Sequence, residues 1–292
     1  ENWQSSEILS KNESLYAALE LVLFDYVKKN NFEKVLIGLS GGIDSALTAT
    51  VAVDALGSKN VIGVAMPSKY NSKESLLDAK SLAENLKIEF KTIEIERIVE
   101  NFRATLTGVI NEELGQTTDE NIQSRVRGNI LMALSNQTGA MVVSTGNKSE
   151  MAVGYSTLYG DLAGGFALLK DLYKTEVYNL SNFRNTISNV IPQNTIDKEP
   201  SAELRPNQFD KDSLPEYDLL DKILRLYIEE DSSSEKIISS GINENIVYDV
   251  LSKVDRNEYK RKQVAPGVKL TEKAFGKDRR MPITNTYIRE RD

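Results

Sequence analysis

The sequence predicts an α/β protein built on a doubly wound parallel sheet with flanking helices. Short apolar segments of strand length alternate with longer segments of helical periodicity along the first half of the chain. This alternation is typical of parallel sheets, in which the crossover between two neighbouring strands is usually a helix. Ligands of such sheets bind at the carboxyl ends of the strands, near the point where the strand order reverses.

Predicted strands and helices follow one another in a regular order. The strands cover residues 35–39, 61–66, 89–93 and 140–144. Helical patterns cover residues 15–28, 44–56, 72–86, 95–106, 118–136, 174–183, 214–230 and 244–260. Residues 154–165 and 198–212 are predicted to be loops, because the former are polar and glycine-rich and the latter contain two prolines. We expect a single domain over residues 1–292, with a basic tail at about 260–292.

Composition and charge exclude several classes of protein. The chain is 40% hydrophobic and 27% charged, which is ordinary for a globular protein. Its apolar runs are all shorter than the roughly 20 residues that a membrane span needs. A net charge of −7 argues against general affinity for nucleic acid, which relies on clustered Lys and Arg. We therefore expect neither a membrane nor a nucleic acid as a partner.

The absence of two residue types restricts the chemistry further. The sequence contains no cysteine and no histidine. Disulfides, thiolate nucleophiles, Ser-His-Asp triads and most zinc sites are therefore excluded. Any reaction must use carboxylates, Lys, Arg, hydroxyls, backbone amides or a hard metal ion.

A glycine turn joins the first predicted strand to the helix that follows it, and reads SGGIDS from Ser40 to Ser45. Gly41 and Gly42 allow the backbone to approach a ligand closely, and amides at a helix N-terminus bind anions. Asp44 would repel a phosphate unless a divalent cation lay between them, so the turn predicts a Mg²⁺-dependent nucleotide site. The alternative is a tight turn in which Asp44 only caps the helix. The turn matches neither the Walker A motif nor GxGxxG.

The same turn is similar to the signature of the PP-loop ATP pyrophosphatases, which cleave ATP to AMP and pyrophosphate while they adenylate an acceptor. The similarity continues over nearly the whole chain with NAD synthetases. Residues 144–180, STGNKSEMAVGYSTLYGDLAGGFALLKDLYKTEVYNL, resemble the synthetase domain of the glutamine-dependent type, and so does FGKDRRMPITN near the end. The resemblance implies the Rossmann-like fold of the adenine nucleotide alpha hydrolases.

The resemblance also implies an activity. NAD synthetases are ligases that adenylate the nicotinate carboxylate of deamido-NAD with ATP and then let ammonia displace AMP. It therefore implies Mg²⁺ as cofactor, and ATP, deamido-NAD and ammonia as small-molecule substrates. It further implies a cytoplasmic homodimer. No protein nucleophile is needed, which suits a chain without cysteine and histidine.

Residues that match the family's motifs are carried over one by one. For ATP the resemblance implies Gly38, Leu39, Ser40, Gly41, Gly42, Ile43, Asp44, Ser45, Met66, Ser68, Thr145, Lys174 and Ser201. Asp44 and Glu150 would hold Mg²⁺, and the implied catalytic residues are Asp44, Lys174 and Asp161. Considered without the motif, Glu150 would be a carboxylate complementing a helix dipole and Lys174 a solvated helix residue.

A second set of residues is implied for deamido-NAD: Tyr26, Asn121, Arg125, Asp161, Lys260 and Arg261. Considered alone, Tyr26 is more typical of a helix core and Arg125 of an exposed helix face. The sequence departs from the ammonia-dependent enzymes at Leu158, at Gly165 and at the pair Lys260 and Arg261. All three departures resemble the glutamine-dependent type.

The glutamine-dependent enzymes also carry a nitrilase-type amidase domain with a catalytic cysteine, which this chain lacks. We expect either an excised synthetase domain, as the non-Met start favours, or a stand-alone enzyme. In both cases ammonium should support turnover and glutamine should not. Other hypotheses are another PP-loop enzyme, such as a GMP synthetase or a tRNA thiolase, and a regulatory module that binds ATP without turnover.

Overall fold

The structure is a computed structural model that describes residues 9–110 and 112–284. Its centre is a parallel sheet of five strands in the order β3-β2-β1-β4-β5. The strands are β1 (Val35–Gly38), β2 (Val61–Ala65), β3 (Glu89–Thr92), β4 (Met141–Ser144) and β5 (Phe166–Ala167). The predicted strands are confirmed with small changes at their ends. The short β5 was not predicted.

Helices flank the sheet and form most of the remaining structure. They are α1 (Lys11–Lys29), α2 (Ile43–Leu56), α3 (Lys73–Leu86), α4 (Glu96–Ile110), α5 (Gln116–Thr138), α6 (Lys148–Val153), α7 (Lys174–Ile187), α8 (Gln193–Asp197), α9 (Tyr217–Leu224), α10 (Ser234–Ser239), α11 (Glu244–Arg256) and α12 (Glu258–Arg261). A π-helical turn, Arg225–Glu229, continues α9, and 3₁₀ turns cover Ser58–Asn60 and Asp210–Asp212. None of the helices in the described ranges combines the length and apolar character required to cross a membrane.

The structure differs from the helix predictions mainly in the last third of the chain. The predicted helix 214–230 begins only at Tyr217, because Pro215 disfavours helical geometry at the residue before it. The predicted helix 244–260 is divided at Asn257 into α11 and α12. The short helices α6, α8 and α10 were not predicted, since each has too few residues for a clear period.

Both faces of the sheet are covered, as the doubly wound prediction requires. In β1, Ile37 packs in one apolar cluster with α1, α2 and α7, whereas its neighbour Leu36 packs in another with α4 and α5. Successive side chains of a strand point to opposite faces, so one strand serves both cores. A further cluster joins α6, α9, α10 and α11. The fold class is therefore confirmed.

The strand order places a switch point beside β1. This strand pairs with β2 on one side and with β4 on the other. The segments that leave the carboxyl ends of β1 and β4 therefore start next to each other, and they are the glycine turn and residues 145–147 before α6. A crevice at this point is where an open α/β sheet binds its ligand.

The basic tail lies against the body of the protein as far as it is described. Backbone N–H groups of Leu270 and Thr271 donate to Asp171 at 2.7 and 2.8 Å. The buried Lys148 donates to Thr271 Oγ1 at 2.6 Å and to the carbonyl oxygen of Lys273 at 2.9 Å. Residues 285–292, and with them the end of FGKDRRMPITN, lie outside the described residues.

Candidate active site

A cavity of about 530 Å³ opens at the switch point. Its walls are the glycine turn, the carboxyl ends of β1, β2 and β4, the first half of α5 and the loops that contain residues 154–161 and 198–210. The volume lies within the range of about 300–1,000 Å³ that is usual for small-molecule sites. Both loops that the sequence predicts therefore take part in forming the cavity.

The glycine turn has the backbone geometry that its sequence predicts. Gly41 has a φ of 81°, and a Cβ atom there would lie 2.2 Å from the carbonyl oxygen of Ser75. Any other residue would therefore be strained and would collide with the start of α3. Gly42 precedes α2 and offers no side-chain acceptor to the amides of its first turn. Uncapped amides at a helix N-terminus are suited to bind an anion.

A lysine and two carboxylates meet beside the turn. Lys174, the first residue of α7, donates from Nζ to Asp44 Oδ2 at 2.5 Å and to Glu150 Oε1 at 3.5 Å. The other oxygen of Asp44 accepts a hydrogen bond of 2.8 Å from Asn147 Nδ2. Asp44 lies in the first turn of α2 and Glu150 in α6, so three separate helices bring these charges together.

Burial and charge shape the ionisation of this cluster. Burial, reinforced by the charge of Asp44, raises the pKa of Glu150 to about 8. Burial by itself would lower the pKa of Lys174, but the charges of Asp44 and Glu150 raise it above its ordinary value. Lys174 therefore stays protonated, and its single positive charge cannot balance the negative charges of both carboxylates. A further cation would stabilise it.

The donor set fits a magnesium ion. Asp44 Oδ2 and Glu150 Oε1 both contact the ammonium of Lys174, so two carboxylate oxygens lie close together beside the glycine turn. Mg²⁺ prefers oxygen ligands and is commonly held by one or two carboxylates together with substrate phosphates. Within the described ranges, no three His, Cys, Asp or Glu side chains are grouped so that they could hold a metal alone. Phosphate oxygens and water would have to complete the coordination.

Arg127, on α5, belongs to the cavity wall and was not predicted. It lines the cavity and donates to the carbonyl oxygen of Met66 and to Asn71 Oδ1, both at 3.0 Å. Burial lowers its pKa to about 10. Met66 lines the cavity, as predicted for the nucleotide, whereas Ser68 is buried outside the lining and donates its N–H to Asn71. The sequence pointed only to the two arginines of QSRVRGN, Arg125 and Arg127. The fold was needed to show which of them lines the cavity.

The loop 198–212 closes one side of the cavity. Ser201 lies in the lining and donates from Oγ to the carbonyl oxygen of Gln208 at 2.5 Å. Glu203, with a φ of 48°, accepts hydrogen bonds from Ser72 Oγ at 3.0 Å and from Ser75 Oγ at 2.6 Å. The loop is thus attached to the start of α3, beside the glycine turn. Thr145 lines the cavity opposite it.

Asp210 is a second lining residue that sequence reasoning missed. Its side chain is 5% exposed, and Oδ2 accepts a hydrogen bond of 2.8 Å from the hydroxyl of Tyr217. Burial raises the pKa of this carboxyl. In the sequence it is one of several acidic residues in a polar loop, and nothing there distinguishes it from Asp212.

Three residues predicted for the dinucleotide, Asn121, Asp161 and Lys260, line the cavity. Asp161 Oδ1 accepts hydrogen bonds from the N–H of Thr157 at 2.7 Å and from Ser124 Oγ at 3.1 Å, and desolvation at the cavity wall raises the pKa of this carboxyl. Lys260 donates to backbone carbonyls of the loop 154–165, and burial lowers its pKa. This part of the cavity wall therefore contains a carboxylate close to a partly buried ammonium.

The other three residues of that set lie outside the lining. Tyr26 donates its hydroxyl to the carbonyl oxygen of Gly165 at 3.1 Å, and its ring centroid is 4.4 Å from that of Phe166. Arg125 is exposed and donates to the carbonyl oxygen of Leu158. Arg261 is buried and donates to the carbonyl oxygens of Ala152 and Val254. The structure does not bring these side chains to the cavity.

The fold and the cavity define a nucleotide-binding α/β protein of the PP-loop class. The family model described as NAD synthase matches residues 15–264, and the chain belongs to this family. A glutamine-dependent NAD(+) synthetase of Aquifex aeolicus is 55% identical over 279 residues, which are 96% of this chain and 49% of that protein. The chain spans about half the length of the curated relatives it matches.

Solved structures agree with this assignment. The glutamine-dependent NAD+ synthetase of Acinetobacter baumannii, in complex with adenosine diphosphate, has a TM-score of 0.66 at 45% identity. That match covers 96% of this chain and 51% of the other. An NH3-dependent NAD synthetase of Campylobacter jejuni has a TM-score of 0.70 at 29% identity, covering 87% of this chain and 97% of the other. The predicted resemblance is confirmed.

Proposed function

We propose that this chain is a ligase that converts deamido-NAD to NAD with ATP and ammonia. The single observation that carries the proposal is the contact of Lys174 with Asp44 and Glu150 at the glycine turn, in a chain of the NAD synthase family. A carboxylate is a poor electrophile, and an acyl-adenylate supplies the leaving group that it lacks. The site needs to position charges rather than provide a nucleophile.

In the first half-reaction, an oxygen of the nicotinate carboxylate attacks the α-phosphorus of ATP. The bond from that phosphorus to the bridging oxygen of pyrophosphate breaks, and pyrophosphate leaves. The amides of the glycine turn and the ammonium of Lys174 stabilise the negative charge that develops on the departing oxygens. Mg²⁺ held by Asp44 and Glu150 would supply further positive charge to the phosphates.

In the second half-reaction, ammonia attacks the carbonyl carbon of the acyl-adenylate. The bond from that carbon to the AMP oxygen breaks, so AMP leaves with one oxygen of the original carboxylate. Asp161 is the residue we assign to this step, because its carboxylate lines the cavity and is held by Thr157 and Ser124. It would orient the incoming ammonia or the dinucleotide and accept the proton that the amine loses.

The substrate contacts follow from the same geometry. Backbone and side chains of residues 38–45, together with Thr145 and Ser201, would bind the triphosphate, and Met66 with Arg127 would enclose the adenosine. Asn121, Asp161 and Lys260 would contact deamido-NAD, because they line the other end of the cavity. Ser68, Tyr26, Arg125 and Arg261 stay predictions from the resemblance, and their described contacts do not support them.

We propose free ammonia as the nitrogen donor, because this chain contains no cysteine that could serve as an amidase nucleophile and matches about half the length of the glutamine-dependent relatives. An amidase unit on the same or another chain could supply that ammonia in the cell. A homodimer, a cytoplasmic location and a single synthetase domain over residues 1–292 complete the proposal; the family match over residues 15–264 supports the domain.

A parallel assay tests the proposed function. The protein is incubated with ATP, Mg²⁺ and deamido-NAD, with either ammonium or glutamine, and NAD, AMP and pyrophosphate are measured. We expect equal amounts of the three products with ammonium and no NAD with glutamine. ATP cleavage that needs xanthylate or tRNA instead of deamido-NAD would indicate another PP-loop enzyme. ATP binding without any cleavage would indicate the regulatory module.

A further inference from the structure

Helix α7, which begins with Lys174, is capped by residues from other helices. The first amides of a helix have no partner within it, and a Ser, Thr, Asp or Asn before the helix usually accepts one of them. The residue before α7 is Tyr173, which makes no such bond. Instead, the N–H of Lys174 donates to Ser149 Oγ at 2.9 Å, and the N–H of Thr175 donates to Asp221 Oδ2 at 2.9 Å.

The two external caps are themselves joined. Ser149 donates from Oγ to Asp221 Oδ1 at 2.5 Å. Ser149 is fully buried, and Asp221 and Lys174 are 2% and 3% exposed, so no bulk water competes for these bonds. Ser149 immediately precedes Glu150 in α6. The carboxylate of Asp221, on α9, therefore links the start of α7, which carries Lys174, to α6, which carries Glu150.

We propose that Asp221 is a positioning residue that sets the separation of Glu150 and Lys174. The inference rests on the proposed function, since it assigns Asp221 a part in placing that site. Asp221 does not line the active-site cavity; it lines a separate groove of about 350 Å³ together with Asp218 and Arg225. It therefore acts through Ser149 and Thr175 rather than on a substrate.

The chemistry of the site explains why an aspartate stands at this position. Its two oxygens accept from two donors at once, and its charge complements the positive end of α7. Asparagine would keep one oxygen for Thr175 N–H but would offer Ser149 a donor in place of an acceptor. Alanine would leave both donors without a partner, and the first turn of α7 could move relative to α6.

A second contact, which does not involve Asp221, joins the start of α7 to the π-helical turn that continues α9. Arg225 Nη2 lies 3.2 Å from Glu176 Oε1, and its guanidinium lies 4.2 Å from the ring centroid of Tyr173. Both partners belong to the start of α7. We therefore expect Asp221→Ala to fold and to displace Lys174 slightly rather than to unfold the domain.

The experiment measures kcat and KM for ammonium-dependent NAD formation in Asp221→Ala, Asp221→Asn, Ser149→Ala and the double variant. Asp218→Ala is the matched control, because Asp218 is exposed on the same helix and lines the same groove. Misplacement by about 1 Å can cost about 100-fold in rate. We expect Asp221→Ala to lower kcat about 30-fold with KM within about 3-fold, and Asp221→Asn to recover part of it.

Non-additivity separates positioning from general destabilisation. If Ser149 and Asp221 act as one unit, the double variant loses about as much kcat as the worse single variant, and Asp218→Ala stays within about 2-fold of the wild type. Thermal unfolding checks the fold of each variant. If Asp221→Ala does not fold, Asp221→Asn and Ser149→Ala decide by the same criteria.

Two results would overturn the inference, and they are distinguishable. A wild type that makes NAD, with Asp221→Ala, Asp221→Asn and Ser149→Ala all within about 2-fold of its kcat, would overturn the positioning role alone. Losses in kcat that multiply in the double variant, or that Asp218→Ala shares, would do the same. A wild type that makes no NAD would overturn the proposed function and the positioning role with it.

Discussion

The two ends of the active-site cavity are built in different ways. At the end that we assign to the phosphates, the end of β1 and the glycine turn, which includes the first residues of α2, line the cavity, and Lys174 bonds both Asp44 and Glu150 there. At the dinucleotide end, α5, the loop 154–165 and α12 each supply one residue of the predicted set: Asn121, Asp161 and Lys260. The first end is local in sequence, and the second depends on the packing of distant elements.

This difference teaches which parts of a site a motif can predict. The glycine turn takes its conformation largely from its own residues, through bonds such as that of Gly42 N–H to Ser40 Oγ, so residues 40–45 need little else from the fold. A side chain on a long helix faces the cavity only if the helix is rotated correctly. Arg125 and Arg127 are two positions apart on α5, and only Arg127 lines the cavity. The phosphate end should therefore be the more sensitive to substitution.

The largest effect is expected for Asp44→Asn. The asparagine keeps the shape of the side chain but removes the charge that faces Lys174 and would hold Mg²⁺. We expect Mg²⁺-dependent ATP cleavage to fall about 1,000-fold, measured as AMP release, with an unchanged circular dichroism spectrum. Asp25→Asn, on the exposed face of α1, is the control and should keep full activity. Near-normal turnover of Asp44→Asn would show that Asp44 has no role in binding Mg²⁺ or in catalysis.

Lys174→Ala should come next. Loss of the ammonium leaves Asp44 and Glu150 facing each other and removes a positive charge from the departing pyrophosphate. We expect kcat to fall about 100-fold while the affinity for deamido-NAD, measured by calorimetry, changes less than about 3-fold. Lys80→Ala, exposed on α3, is the matched control. An effect confined to deamido-NAD affinity would place Lys174 at the other end of the cavity.

A smaller effect is expected at the dinucleotide end for Asp161→Asn. The amide oxygen can still accept from Thr157 and Ser124, so the loop keeps its fold, but the charge near Lys260 is lost. We expect kcat/KM for deamido-NAD or ammonium to fall about 10-fold, with KM for ATP nearly unchanged. A loss as large as that of Asp44→Asn would mean that the two ends do not differ as proposed.

The smallest effect is expected for Tyr26→Phe. Tyr26 packs on Phe166 and bonds Gly165, so the substitution removes one hydrogen bond outside the cavity. We expect a loss of stability of about 1 kcal/mol and a KM for deamido-NAD within about 2-fold of the wild type. Steady-state kinetics and thermal unfolding measure both. A rise in KM of about 10-fold would instead support the prediction that Tyr26 contacts the dinucleotide.

Much of the fold follows from the sequence because its signals are local. The strands at 35–39 and 61–66 are short apolar runs beside glycines, and the structure places β1 and β2 there. The strand β5 was missed, because two residues held by β4 carry no period of their own. The division of the predicted helix 244–260 at Asn257 arises from contacts with Val153, which no local pattern contains.

The candidate site shows the same limit at the level of single residues. Asp44, Glu150 and Lys174 stand in motifs that resemble a known family, and the structure brings them together. Asp210 and Asp221 have no motif that we recognised, and their importance depends on burial and on partners that lie elsewhere in the chain, Tyr217 and Ser149. Tyr26 was selected by resemblance, although its position in α1 directs it to the core.

The central claim is that ATP is cleaved by forming an acyl-adenylate with the dinucleotide. The most direct measurement uses deamido-NAD whose nicotinate carboxylate is labelled with the heavy isotope of oxygen, together with ATP, Mg²⁺ and ammonium. Mass spectrometry of the products then follows the label. We expect one labelled oxygen in the phosphate of AMP and none in pyrophosphate, because the carboxylate oxygen leaves with AMP. Unlabelled AMP, or label in pyrophosphate or inorganic phosphate, would contradict the mechanism.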